Sequence, residues 1–484
     1  MSWRDDEPGL PIKLGPVSNG EFLPQPLAPT VTEALRLARE QCDRAARKLG
    51  MDRREFLKSA TASAITLFFL DRMTASAHAD PGGRYAIPAD ALWEPLAAEE
   101  RLTGDEFIMD VQGHLLEYEL NPATRGRRFW GDQFPQMNCG DDDPRSCFSM
   151  THFMEEMFLR SDTSMAVVSA LPIHPEGSPL PIEVMDETRR VSVGLTRDDR
   201  IKLHAQVLPQ VGSIEATLEE MERTVARYPI AGWKTFTHFG DPVTGNRYWL
   251  DDHEEGVPHV GRRFIEKSLD LGVNIICVHK GLSGGSRFGS PVDIGPAAKA
   301  YPEMNFVVYH CGFEVDHVEG PYSDESNGVN RFIATLREHG IGHAGNVYGE
   351  LGSTWWYLMR TPTQAAHVLG KLLDTLGENR ILWGTDSIFY GSPQDQIEAM
   401  RAFTITESYR ERFGYPVLGG RTKRRIFGLN AAELYGVDPV KVRWDFTREE
   451  LREIRLTFPD GNNTLGPTNA TEFRRFHEHH RGWA

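Results

Sequence analysis

Cysteine is scarce. Cys42, Cys139, Cys147, Cys277 and Cys311 are the five in 484 residues, with no C-x-x-C pair and no zinc-ribbon spacing, which argues against a structural zinc site. Cys139 and Cys147 flank a polar loop, Gly140 to Ser146, and fit either a disulfide in an oxidising compartment or two free thiols. Long apolar runs are lacking too: the run from Ala60 to Leu70 falls short of the roughly 20 residues that span a bilayer. Nor is there an excess of positive charge. Lys and Arg number 53 against 69 Asp and Glu, a formal net charge of −16, with the two signs interspersed. Such a surface repels nucleic acid and anionic membrane, so neither nucleic acid nor a stable membrane span is expected.

Apolar material is plentiful. The chain is 40% hydrophobic with 10 Trp, 25 Phe and 13 Tyr, and its 45 Gly and 30 Pro imply many turns. Its length suits one large barrel of about 250 residues or more with extensions; two half-size domains are the competing organisation.

Near the front, Met51 to Ala79 reads MDRREFLKSATASAITLFFLDRMTASAHA. Arg53 and Arg54 precede an apolar run, and Ala77-His78-Ala79 forms an A-x-A site, so the segment resembles a twin-arginine export signal. It implies a periplasmic or secreted protein handled by the twin-arginine machinery, which carries folded cargo. The alternative is an uncleaved N-terminal arm packing on a neighbour, which leaves the protein cytoplasmic. The expected organisation is an arm over 1–50, a signal segment over 51–79, a linker over 80–106, a barrel over 107–439 and a helical tail over 440–484.

From Phe107 onward, short apolar runs alternate with helical patterns, the sequence form of repeated βα units. Eight strands can be counted: Phe107 to Val111, Met165 to Ala170, Ile201 to Val207, Ala231 to Phe236, Val273 to Val278, Asn305 to Tyr309, Val347 to Glu350 and Ile381 to Trp383. Amphipathic segments lie between them, such as Ser213 to Tyr228, Val260 to Leu271, Asn330 to His339 and Thr363 to Leu376. The expected fold is α/β, a (β/α)8 TIM-type barrel, in which chemistry sits at the C-terminal ends of the strands.

Four of those ends offer imidazole or carboxylate: Asp110-Val111-Gln112-Gly113-His114, Val278-His279-Lys280-Gly281, Tyr309-His310-Cys311-Gly312 and Gly384-Thr385-Asp386-Ser387. A lone His beside a strand is usually structural, but three with an Asp, each at its own strand end, point to a site. His114, His279 and Asp386 suit one divalent ion, Zn or Mn. Such an ion lowers the pKa of a water molecule toward about 7. Asp386 is then placed to take the proton, and His310 to polarise a substrate oxygen or shuttle a proton.

The order of these segments, with the trailing KRRIFGLNAAELYGVDP from Lys423 to Pro439, resembles the amidohydrolase-related family, which includes aminocarboxymuconate semialdehyde decarboxylase. The resemblance runs from Phe107 to about Pro439, and GTD and NAAELYG are its most specific parts. It implies a metal held by an H-x-H pair, the fifth-strand His and the eighth-strand Asp, with a catalytic sixth-strand His. Those roles fall on Gln112 and His114, His279, Asp386 and His310. The first His of the pair is therefore replaced by Gln112, a weaker neutral ligand, which moves the preference toward harder ions such as manganese. Three readings follow: Gln112 or an extra water in the vacant place, a site rebuilt around a neighbour such as Glu117, or a metal-free binding barrel.

Further candidates surround these. Lys234 and His238, near the fourth strand, are candidate substrate ligands, as are Lys280 and Trp355; Lys234 reads also as a rim salt bridge, Lys280 equally as a rim charge and Trp355, beside Trp356, equally as core packing. Glu350 is placed to hydrogen-bond a ligand His from behind. His174 and His204 read as structural. The loop from Arg125 to Cys147 is placed to cover the cavity mouth, and the His-bearing tail from Arg474 to His480 reads as a solvated helix or an oligomer contact. The expected reaction is hydrolysis of a small substrate; decarboxylation or hydration is the nearest rival. A homo-oligomer is expected by analogy.

Overall fold

Eight buried parallel strands follow one another in chain order: β1 (Met109–Gly113), β2 (Met165–Ser169), β3 (Ile201–Gln206), β4 (Gly232–Thr235), β5 (Ile275–His279), β6 (Asn305–Tyr309), β7 (Val347–Glu350) and β8 (Ile381–Leu382). The computed structural model describes residues 9–125, 139, 143–323, 327–442, 447–458 and 464–479. Each strand pairs with the next, as in Ala166 with Ile201 or Cys277 with Val307. The last returns to the first: the Val111 amide donates to the Trp383 carbonyl and the Asp386 amide to that of Gln112, both at 2.9 Å, and a parallel bridge joins Gly113 to Ser387. The (β/α)8 barrel is thus closed. β-Branched residues such as Val167, Val168, Ile276, Val307 and Val308 are buried because both faces of a parallel sheet are covered.

The helices match their amphipathic patterns at Ile214–Arg227, Gly261–Asp270, Gly328–Glu338 and Pro362–Leu376. The Asn430 side chain donates to the carbonyls of Glu378 and Ile381, both at 2.8 Å, where β8 begins. A Cβ on Gly428 would stand 2.3 Å from the Phe107 carbonyl oxygen, so the chain can approach β1 there only as glycine. The FGLN segment is therefore a plug for the barrel floor.

The N-terminal residues pack onto this frame. Helix α1 (Pro29–Leu49) lies against α2 (Ala60–Ser76). The segment read as an export signal, 51–79, contains α2, with Ala62, Ala64, Ile65, Leu67 and Leu70 wholly buried; each large apolar side chain contributes about 1.5–3 kcal/mol by leaving water. Asp71 fastens its end, accepting two hydrogen bonds from Arg84 Nε and Nη2 at 2.8 and 2.6 Å and one from the Tyr85 amide at 2.7 Å. Residues 80–106, expected as a linker, are folded: Gly83–Tyr85 pairs antiparallel with Phe403–Ile405, and Pro95–Leu102 is helical. Among the described residues no helix is long and apolar enough to cross a membrane. Cys139 and Cys147 are joined as a disulfide, and Cys42, Cys277 and Cys311 are buried thiols. Apart from Arg125, Cys139 and residues 143–147, the expected covering loop lies outside the described residues, as does His480.

Candidate metal centre

The strand ends bring together His114, His279, His310 and Asp386, all buried at one end of the barrel. Two imidazoles have one nitrogen fixed by a backbone carbonyl. His114 Nδ1 is 2.7 Å from the Ser169 oxygen and His310 Nδ1 is 2.7 Å from the Gly352 oxygen. A carbonyl only accepts, so both Nδ1 atoms carry the proton and both Nε2 atoms turn toward the site. His114 Nε2 then faces Asp386 Oδ1 at 3.1 Å. His310 Nε2, both ring nitrogens of His279 and Gln112 Oε1 are buried without a hydrogen-bond partner among the described residues. Buried polar atoms that converge without partners are costly unless a cation joins them. The residues fit a divalent ion: His114, His279, His310 and Asp386 would hold it, with the Gln112 oxygen in the same wall.

Backbone conformation aims these groups. His310, Cys311, Ser353 and Asp386 all have positive φ, at 64°, 53°, 53° and 59°, a strained region for residues with a Cβ that costs of order 1–3 kcal/mol each. Hydrogen bonds hold the strain in place. Glu350 accepts from the His310 amide at 3.2 Å and the Gly352 amide at 2.5 Å, and Thr354 donates to the His310 carbonyl at 3.0 Å. Glu350 therefore sets the backbone that carries His310 and does not bond an imidazole, contrary to the sequence expectation. Ser353 donates to Asp386 Oδ2 at 2.6 Å and lies 2.7 Å from the Tyr390 hydroxyl.

A residue that sequence reasoning missed completes the cavity. The N-terminal arm folds over the strand ends and inserts Asn19 and Glu21. Glu21 Oε1 lies 3.5 Å from His279 Nδ1 and Oε2 lies 3.7 Å from His310 Nε2, and the ligand atoms of these three residues fall within 4.8 Å of one another. The Asn19 amide donates to both Glu21 Oε2 and Asp386 Oδ2 at 2.6 Å. The tail straps the arm down: the Ser18 amide donates to the Pro467 carbonyl and His477 Nε2 to that of Gly20, each at 3.0 Å. With Phe476 buried, one side of this part of the tail is an internal clasp, while Arg474, Arg475 and Glu478 on the same helix stay exposed. No local signal marks Ser18-Asn19-Gly20-Glu21, a polar turn far upstream of β1.

Burial shapes the charges. It raises the Asp386 carboxyl, but the hydrogen bond and charge of His114, the charge of His310 and the Ser353 hydroxyl outweigh it, leaving a value of about 2. Glu21 is held well up by burial and by the Asp386 charge. Burial lowers His310 to about 4 and His238 to about 3. For His279, burial and the neighbouring His238 and His310 press the same way. These imidazoles are neutral at pH 7, as metal ligands must be.

The remaining candidates separate. His238 lies near the site, its ring 4.5 Å from that of His279 and tilted by 41°. Lys234 is no rim charge: its Nζ is buried in the barrel with no hydrogen-bond partner among the described residues, 3.5 Å from the centre of the Tyr309 ring, and burial lowers it to about 8. It lines the same cavity as Glu21, His279 and Asp386. Lys280 is not free to bind substrate, because its ammonium sits 2.8 and 2.9 Å from the Asp293 oxygens, both side chains wholly buried. Trp355 is core packing: its Nε1 donates to the Gln396 carbonyl at 2.9 Å and its ring meets Phe403 edge-on. Glu117 does not rebuild the site, since it accepts the Met150 amide at 2.6 Å. His204 is structural, between the hydroxyls of Tyr309 and Tyr435 at 3.0 and 2.9 Å. A wider groove of about 370 Å³, lined by His174, Gln206, Glu220 and Arg223, contains none of the converging ligands.

A closed parallel barrel with imidazoles and a carboxylate at its strand ends defines the metal-dependent barrel enzymes as a class. The amidohydrolase family model matches residues 186–437, more than half of the chain, and the chain belongs to that family. His279, His310 and Asp386 lie within the match; Glu21, Gln112 and His114 lie before it. No curated protein matches. Similar solved structures include an uncharacterised TIM-barrel protein of Bordetella bronchiseptica (14% identity, 68% of this chain and 98% of that one, TM-score 0.42). Others are the 2,6-dihydroxybenzoate decarboxylase of Rhizobium (15%, 69% and 99%, 0.38) and the 5-carboxyvanillate decarboxylase of Sphingomonas paucimobilis (12%, 69% and 100%, 0.40).

Proposed function

We propose that this amidohydrolase-family enzyme is a metal-dependent hydrolase of a small anionic substrate. The observation that carries the reading is the set of buried nitrogen and oxygen acceptors facing one another across the strand ends, His114 Nε2 against Asp386 and His310 Nε2 against Glu21. Zn or Mn held there by His114, His279, His310 and Asp386 would supply an activated water and polarise a substrate oxygen. Asp386 acts as proton acceptor: Ser353 and Asn19 donate to its Oδ2, which stabilises the ionised carboxylate. His310, with Nδ1 anchored on Gly352, would present Nε2 to the ion as a ligand, so the proton transfer expected of it falls to Asp386. Lys234, a buried ammonium with no hydrogen-bond partner among the described residues, attracts an anionic group of the substrate.

That same ammonium favours a second reading, non-oxidative decarboxylation, in which the carboxylate it attracts is the group lost. Metal-analysed protein assayed against acyl esters, lactones and aromatic carboxylates separates the two, because acid release marks hydrolysis and carbon dioxide release marks the lyase. Turnover of none of them by fully loaded protein would favour the non-catalytic barrel.

Export by the twin-arginine machinery and homo-oligomer formation are further proposals. The first is supported by Arg53-Arg54 with Ala77-His78-Ala79 and by the Cys139–Cys147 disulfide; the second stays an analogy. Mass spectrometry of the mature protein and sedimentation test them.

A further inference from the structure

We infer that Glu21, from the N-terminal arm outside the barrel, is itself a ligand of the metal and supplies the donor that Gln112 leaves weak. The inference deepens the metal-centre reading above and rests on it. Glu21 is buried, and its two oxygens stand 3.5 Å from His279 Nδ1 and 3.7 Å from His310 Nε2. Those separations are long for hydrogen bonds. They are close to what one ion imposes, since ligands about 2.1 Å from a shared metal stand roughly 3.0–3.4 Å apart at octahedral or tetrahedral angles. His310 Nε2 cannot donate to Glu21 without a second ring proton, because Nδ1 is committed to the Gly352 carbonyl at 2.7 Å. Neither nitrogen of His279 is hydrogen-bonded among the described residues.

Charge points the same way. Two carboxylates, Glu21 and Asp386, are tied within one buried cluster by the single amide of Asn19 at 2.6 Å each, and Lys234 is the cation beside them in the cavity wall. A divalent ion balances both carboxylates, where the neutral Gln112 amide balances nothing. Size agrees as well: the cavity lined by Asn19, Glu21, Gln112, His114, Lys234, His279 and Asp386 is about 10 Å³, room for one ion or water. The arm is built to hold this position. Lys13 pairs with Asp395 at 3.2 Å and donates to the Ser392 carbonyl at 2.7 Å, and the tail binds Ser18 and Gly20 from the other side.

The test is Mn²⁺ and Co²⁺ binding to the full-length apoprotein, by titration calorimetry and by the visible spectrum of bound Co²⁺. Glu21→Gln keeps the shape and the Asn19 hydrogen bond, so it is expected to bind either ion at least about 10-fold more weakly with an altered Co²⁺ spectrum, and Glu21→Asp is expected to fall between. Unchanged affinity and spectrum in Glu21→Gln overturn the inference. His279→Ala is expected to bind no ion; if it binds normally, the metal-centre reading itself fails, which a failure confined to Glu21 does not imply. A second measurement needs no variant. Added Mn²⁺ is expected to slow amide exchange in a peptide covering residues 16–24 of the wild-type chain, and no slowing at saturating Mn²⁺ overturns the inference.

Discussion

His114 Nε2 faces Asp386 Oδ1 at 3.1 Å while the other nitrogen of the same ring is committed to the Ser169 carbonyl at 2.7 Å. Without a cation the contact needs a proton between the two atoms; with one, both atoms are ligands. Asp386 in turn is held by Ser353 at 2.6 Å. Ser353→Ala is expected to lower kcat/KM about 10- to 100-fold with little change in the unfolding midpoint, the usual effect of removing a hydrogen bond from a metal-binding carboxylate. Steady-state kinetics beside thermal unfolding check this, and unaltered kinetics would remove Ser353 from the site.

Lys234 and Lys280 are expected to behave oppositely. Lys234→Met removes a buried ammonium that has no hydrogen-bond partner among the described residues, so thermal stability is not expected to fall. Inhibition by a simple aromatic carboxylate such as benzoate is expected to weaken about 10- to 100-fold, the worth of one charge-assisted hydrogen bond.

Lys280→Met strands the buried Asp293 carboxylate. A loss of about 3–5 kcal/mol in denaturant unfolding is expected. A stable Lys280→Met protein with impaired substrate binding would return Lys280 to the pocket.

Acid sensitivity is expected from Asp162, which pairs with Arg401 at 2.6 Å and with Arg455 at 2.9 Å and so fastens the helix Arg448–Thr457 to the barrel. Burial raises this carboxyl, but the two guanidinium charges outweigh it and hold it well below the usual range. Its contribution is therefore complete above the unfolded value of about 3.9 and is lost as pH falls below that toward the folded value. Asp162→Asn is expected to be less stable at pH 7 and to show a flatter decline in stability below about pH 4. Parallel acid limbs in the two proteins would contradict this.

The barrel was legible because its strands are short apolar runs set between helical periodicities, and β6 and β7 fall where those runs do. β1 was displaced: apolarity begins at Phe107, but pairing extends through Gln112 and Gly113, polar or small residues that the barrel interior accepts because they line the site. His114, His279, His310 and Asp386 were legible because each lies at, or within four residues of, the end of a strand. Lys280 and Trp355 misled because sequence adjacency to a strand end does not say which way a side chain turns: one turns to Asp293, the other to Gln396. Glu21 was illegible, since its place depends on an arm that crosses to the strand ends and is clasped by the tail, contacts with no local periodicity. The helix Ala60–Ser76 carries an apolar run that serves core packing in the folded chain, and composition alone does not distinguish that from a signal.

The most direct test of the metal centre is the metal content of protein purified after growth with zinc or manganese, compared with that of Asp386→Ala. About one tightly held ion per wild-type chain is expected, with both ion and activity lost in the variant. Activity surviving in Asp386→Ala, or wild-type chains that turn over substrate while holding far less than one ion, would contradict the account.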